Sequence, residues 1–181
     1  AHPYVIFTDG DMVLHPRFVE DHAGAAKPGR FVQGTRIRLS VPASRLALVG
    51  AVPSTLALLT KADMIDERNK CTAWAIRSGL LSRLLSRRYL KPRKVMTCNM
   101  ACFLEDARAV NGFDHRFLGV GSEDLQFAGR LFAIGLTEFH LRYRAIAYHL
   151  HHVENHSKHP DRLPEGETID GARQMPAPIL D

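Results

Sequence analysis

The apolar run Tyr4-Val5-Ile6-Phe7 is rich in β-branched and aromatic residues and is closed by Thr8-Asp9-Gly10, which predicts a short strand. Pro16 predicts the opening of a helix through Phe18, Val19 and His22. A loop is expected over Ala23–Gly29, and the alternation from Phe31 to Leu39 predicts a strand near the first one. Leucines at helical spacing predict helices over residues 44–94. A further strand is expected over Val95–Phe103, then a short helix over Glu105–Val110 that stops at the turn pair Asn111-Gly112. Residues Glu123–Ile134 carry an apolar stripe of Leu125, Ala128, Leu131 and Phe132 and predict an amphipathic helix, with Gly135 placed to end it. A strand over Leu141–Tyr148 leads into a histidine cluster. The order of these elements indicates an α/β fold.

Composition narrows this little. The 181 residues suit one domain with a sizeable core. The formal charge of +5 suits an anionic partner, and equally an ordinary basic surface. The longest apolar stretch, Leu46–Leu59, is too short for a bilayer and is interrupted by Pro53. No charged leader with an apolar core opens the chain, and three sparse cysteines suggest a reducing compartment, so a cytoplasmic location is expected. Cys98 and Cys102 read as small buried hydrophobes. The segment from His159 is rich in proline, glycine and charge and predicts a loosely ordered tail over 159–181.

Four groups carry candidate chemistry. Asp9 and Asp11, just past a strand, offer hard oxygen ligands for Mg²⁺ or Mn²⁺, and Asp-Gly is also a plain turn. Gly119-Val-Gly121-Ser-Glu123-Asp124 lets backbone approach a ligand and places two carboxylates at a helix start, where they also serve as caps. His149, His151 and His152 end a strand, and imidazole is the commonest metal ligand; a polar histidine cluster without metal is the plainer reading. Arg83, Arg87, Arg88, Lys91, Arg93 and Lys94 form, with Arg77, a basic cluster. It reads either as a solvated face or as a patch for an acidic acceptor or anionic headgroups.

Taken in order, Phe7–Phe18, with its D-x-D, resembles the corresponding segment of glycosyltransferase family 2, of the GT-A fold. Thr97–Asp124, with Asn111-Gly-Phe113 and Gly119-Val-Gly-Ser-Glu-Asp124, resembles that family's acceptor block and the C-terminal region of the β-1,4-galactosyltransferases. The resemblance implies a partial GT-A, Rossmann-like mixed sheet flanked by helices over residues 1–158, with a helical basic insertion at about 44–94. It implies an inverting, metal-dependent transfer of a sugar from a nucleotide-sugar, UDP-linked by default, to a glycan or lipopolysaccharide-type acceptor. By resemblance Asp11 binds Mn²⁺ or Mg²⁺, and Asp9 contacts the ribose or shares the metal. Asp124 is the general base and Glu123 holds the acceptor. His149 and then His152 are the late metal ligands, and Gly119 and Gly121 line the sugars.

Two departures matter. Val120 stands where relatives carry Trp, a platform for the acceptor. The first strands and much of the nucleotide pocket of the family have no counterpart, so the chain is expected to be a C-terminal portion of such a domain. A catalytically silent remnant binding glycan or a partner protein is the alternative. Nucleic acid is not expected as a partner, because the basic cluster comes with no recognised binding motif. Contact with an anionic membrane through the basic cluster, at the inner face, is the remaining partner expectation.

Overall fold

The computed structural model describes residues 3–51, 58, 61, 63–69, 72–90, 95–114 and 123–152. Gly119, Gly121, Cys71, Lys91, Arg93, Lys94 and the tail 159–181 lie outside them. The fold is mixed α/β, of partial Rossmann-like GT-A type, with two mixed sheets flanked by helices. The larger sheet contains β1 (Tyr4–Thr8), β6 (Asn99–Phe103), β3 (Arg30–Gln33), β7 (Thr137–His140) and β5 (Arg87–Tyr89), in that order. Only the β3–β7 pair is parallel. The smaller sheet contains β2 (Met12–Leu14), β8 (Ile146–His149) and β4 (Thr35–Arg38). Here β2 runs antiparallel and β4 parallel to β8.

Three short links carry the chain directly from one sheet to the other: Asp9–Asp11, Gly34, and residues 141–145. This corrects two of the expected strands. Phe31–Leu39 is β3 and β4 in different sheets, and Leu141–Tyr148 contains only β8 after a turn that follows β7. Gly34 makes the switch from β3 to β4 possible, because a Cβ there would sit 2.1 Å from Asn99 Oδ1 and 2.7 Å from the Ala145 carbonyl oxygen. The switch over residues 141–145 uses Tyr143 and Ala145 at φ 60° and 47°, a region that residues other than glycine rarely adopt.

Helix α1 (Phe18–Ala25) starts after Pro16 and runs into the expected loop. The expected helices of 44–94 are partly found: α2 (Val41–Leu48), a 3₁₀ turn (Thr72–Ala75) and α3 (Gly79–Leu85). Ser40 and Ser78 cap α2 and α3 by accepting from Ala43 and Leu81 N–H groups. Arg87 and Arg88, however, lie on edge strand β5, where Arg88 pairs with Phe139. Helix α4 (Leu104–Ala109) stops at Asn111 and Gly112, both with positive φ. Helix α5 (Glu123–Ala133) ends in a Schellman motif: Gly135 N–H reaches the Phe132 carbonyl and Leu136 N–H that of Leu131.

Helices α4 and α5 cover the larger sheet through Phe31, Met100, Cys102, Phe127, Leu131 and Phe132. Burying each large side chain contributes about 1.5–3 kcal/mol before entropy is counted. Ile37, Leu39, Ile65, Ile146 and Tyr148 form a second core beside the smaller sheet. Phe18, Val32, Leu141 and Ala147 form a third under α1.

A buried polar network locks the switches at Gly34 and at residues 141–145 together. Asn99 Nδ2 donates to the carbonyls of Thr35 and Ala145, and Asn99 Oδ1 faces His22 Nε2 at 2.8 Å. Asp21, 3% exposed, accepts from the Ala145 N–H and takes a bidentate pair from Arg77 at 2.6 and 2.9 Å. Arg77 therefore leaves the expected surface cluster, because its guanidinium satisfies a buried carboxylate. Among the described residues, no helix is long and apolar enough to cross a membrane.

Candidate active site

The link between β1 and β2 is both a turn and a site. Met12 N–H donates to the Asp9 carbonyl at 3.3 Å, closing the turn, while the carboxylates of Asp9 and Asp11 remain at the ends of the two strands. Leu150 N–H donates to the Asp11 carbonyl at 3.0 Å, and Met12 is paired with His149 across β2 and β8. This ladder fixes Asp11 beside the histidines. Ser44 on α2 accepts from the His151 N–H at 2.7 Å, which holds the segment carrying His152.

Asp11, His149 and His152 converge as a result. Asp11 Oδ2 lies 3.3 Å from His149 Nε2 and 3.0 Å from His152 Nε2. One ligand atom from each of the three lies within 4.8 Å of the others. Asp11 Oδ1 is buried and without a hydrogen-bond partner, so acceptor capacity is left over at the cluster. Burial lowers the pKa of His149 below its ordinary value, against the upward pull of Asp11; Arg36, His152 and Arg38 lower it further. That favours the neutral ring, the form that ligates metal. One carboxylate and two imidazoles fit a divalent cation. Of the two expected cations Mn²⁺ suits them better, since Mg²⁺ favours oxygen ligands. Asp9 is not one of this trio.

Asp124 and Glu123 open α5, both half-buried. Thr97 Oγ1, just ahead of β6, donates to Asp124 Oδ1. Asp9 connects this group to the metal trio. Its carboxyl is pushed above the ordinary value by partial burial and then by the like charges of Asp11 and Asp124, with Arg36 opposing. The D-x-D and the start of α5, far apart in sequence, are thus within electrostatic reach of one another. A cavity of about 330 Å³ lies there, lined by Ile6, Phe7, Thr8, Asp9, Thr97 and Phe113. Phe113 stacks on Phe127 at 4.5 Å between centroids and is 39% exposed. On the His152 side a wider cleft of about 640 Å³ has Ser40, Asp63, Arg68 and His151 among its walls.

The structure thus brings Asp9, Asp11, His149 and His152 into one neighbourhood with Asp124. Thr97 and Arg36 belong to it and carry no role in the sequence reading. Thr97 is the first residue of the long motif, and Arg36 occupies a polar position in the alternation of β4. Cys98 and Cys102 are buried, and burial pushes their thiols up to about 11 and about 12, as befits inert core residues.

No curated protein matches the chain. Residues 83–153 match the family model described as "N-terminal domain of galactosyltransferase". The match leaves out Asp9 and Asp11 but includes Thr97, Glu123, Asp124, His149 and His152. It covers less than half of the chain; it makes this region galactosyltransferase-like and supports a glycosyltransferase kind.

Proposed function

We propose that this chain forms the metal-binding and acceptor side of an inverting glycosyltransferase, which moves a sugar from a UDP-linked donor to a glycan or lipopolysaccharide-type acceptor. The observation that carries the reading is the convergence of Asp11, His149 and His152 near a second carboxylate, Asp124, held by Thr97. Inverting transfer needs a base beside the acceptor hydroxyl and positive charge at the departing diphosphate. In this reading Asp124 takes the acceptor's proton, and Glu123 binds neighbouring hydroxyls. Asp9 faces the donor ribose. A divalent cation on Asp11, His149 and His152 supplies the charge that stabilises the leaving group.

The deciding experiment is transfer from a panel of UDP-sugars with Mn²⁺ to saccharide acceptors, comparing the wild type with Asp124→Asn. Transfer is expected to disappear in the variant while Mn²⁺ and UDP binding persist. Full activity in Asp124→Asn removes it from the role of base. Donor binding without transfer in the wild type favours a catalytically silent remnant.

The same proposal places the protein at the cytoplasmic face of an anionic membrane. Support comes from α3, β5 and the residue after it, where Leu80, Leu84 and Leu90 are 68%, 65% and 67% exposed beside exposed Arg83, Arg87 and Arg88. Apolar side chains flanked by arginines suit the boundary between headgroups and acyl chains.

A further inference from the structure

Arg36 is a cation set among the carboxylates and histidines of the site. On β4, Thr35 and Ile37 are buried, so Arg36 and Arg38 share the opposite, half-buried face. Across the ladder Arg36 is paired with Ala147 and Arg38 with His149. Arg36 Nη1 reaches Cys98 Sγ at 3.9 Å, and Cys98 adjoins Thr97, which holds Asp124. Its charge acts on both Asp9 and His149, so the guanidinium is within electrostatic reach of the D-x-D turn and of the end of β8. Among the described residues it makes no ion pair, and its one hydrogen bond is the long contact to sulfur. Arg38, by contrast, is occupied on the Asp66 and Asn69 side, where it helps lower the Asp66 carboxyl and its backbone N–H and carbonyl bond to Asn69.

We propose that Arg36 is an anchor for the diphosphate of the donor, binding phosphate oxygens from the side of the site opposite Asp11. The proposal rests on the glycosyltransferase reading and adds a residue to it. A guanidinium presents a planar fork of donors that matches phosphate oxygens two at a time. A half-buried fork with no carboxylate partner among the described residues can do so. It also places positive charge where charge develops as the sugar departs. The competing role is neutralisation of Asp9, Asp11 and Asp124, which predicts no loss of diphosphate affinity when the guanidinium is removed.

The test is calorimetry on the 181-residue chain with Mn²⁺ alone, then with inorganic pyrophosphate and with UDP in the presence of Mn²⁺. The variants are Arg36→Met and Arg36→Lys. Loss of one charge-assisted pair predicts that Arg36→Met binds pyrophosphate and UDP about tenfold to a hundredfold more weakly. Mn²⁺ alone should bind as well as before or more tightly, because a nearby positive charge is gone. Arg36→Lys should recover part of the loss, as it keeps the charge without the fork. Unchanged diphosphate binding in Arg36→Met overturns the proposal and leaves the glycosyltransferase reading standing. Parallel weakening of Mn²⁺ alone also overturns it, because it indicates general damage to the site. Absence of diphosphate binding by the wild type overturns both. Should Arg36→Met fail to fold by thermal melt, Arg36→Lys and Arg36→Gln carry the comparison.

Discussion

Thr97 Oγ1 donates a hydrogen bond to Asp124 Oδ1, joining the approach to β6 to the first turn of α5. The bond fixes one carboxylate oxygen and leaves the other to meet a substrate. A base needs this kind of positioning, since small displacements of a reacting group cost large factors in rate. Replacing Thr97 with Val keeps the shape and removes the donor. Transfer turnover should fall about tenfold or more, with the donor KM little changed, and Thr97→Ser should restore most of it. Equal losses in the Val and Ser variants would falsify the positioning role.

Asp11 is the shared element of the metal trio, within 3.3 Å of both histidines. Asp11→Ala removes the only oxygen ligand of the three, so Mn²⁺ affinity should drop by at least the 10–100-fold typical of losing even an outer partner of a metal ligand. Asp9→Ala should cost less, because Asp9 stands outside the trio. Titration of each variant with Mn²⁺, followed by electron paramagnetic resonance, measures both; equal losses would put Asp9 in the coordination sphere.

The residue types of the site were legible in the sequence, and only the resemblance grouped Asp11 with His149 and His152; the contacts that hold them together were not legible. Asp9, Asp11, Glu123, Asp124 and the histidines announce themselves by chemistry and motif. That His152 joins His149 on Asp11 follows from the β2–β8 ladder and the Ser44 tether, which no spacing encodes. Strand content was likewise visible in the alternation, and the change of sheet was not. Alternation reports which side of a strand is buried; it holds in β4, whereas β3 is buried on both faces, so the pattern of polar and apolar residues carries no mark of the sheet change at Gly34. Tyr143 and Ala145 carry the other switch in positive-φ conformations that their side chains do not advertise. Strand β5 was hidden because a three-residue edge strand of Arg-Arg-Tyr has too little pattern to compete with the leucines of α3.

The basic, leucine-bearing surface of α3 and β5 should bind vesicles containing anionic lipid and ignore neutral ones. In sedimentation assays, Leu80→Glu with Leu84→Glu should abolish binding without lowering the melting temperature, since both side chains are already mostly in water. High salt should weaken the wild-type interaction, because its electrostatic part is screened. Equal binding to neutral vesicles, or binding that survives the double substitution, would remove this surface from the proposal.

His22 makes folding sensitive to acid. The amide of Asn99 is oriented by its two donations to the Thr35 and Ala145 carbonyls, so Oδ1 faces His22 and Nε2 must carry the proton. Nδ1 is then an unprotonated nitrogen, buried without a partner in a residue that is 0% exposed. Burial lowers the His22 pKa, and the Asn99 bond and Asp21 offset only part of this. A histidine whose folded pKa is depressed binds more protons when unfolded. Its contribution is therefore complete above the unfolded pKa of about 6.5 and is lost as pH falls from there toward the folded value. Within that window one group costs up to about 1.4 kcal/mol per pH unit. Urea unfolding at pH 7.5 and pH 5.5 should show the wild type losing more stability than His22→Gln, which keeps an amide donor for Asn99 and cannot titrate. Equal losses in the two proteins would assign the acid sensitivity to other groups, His15 and His149 first among them, since burial lowers both in the same direction.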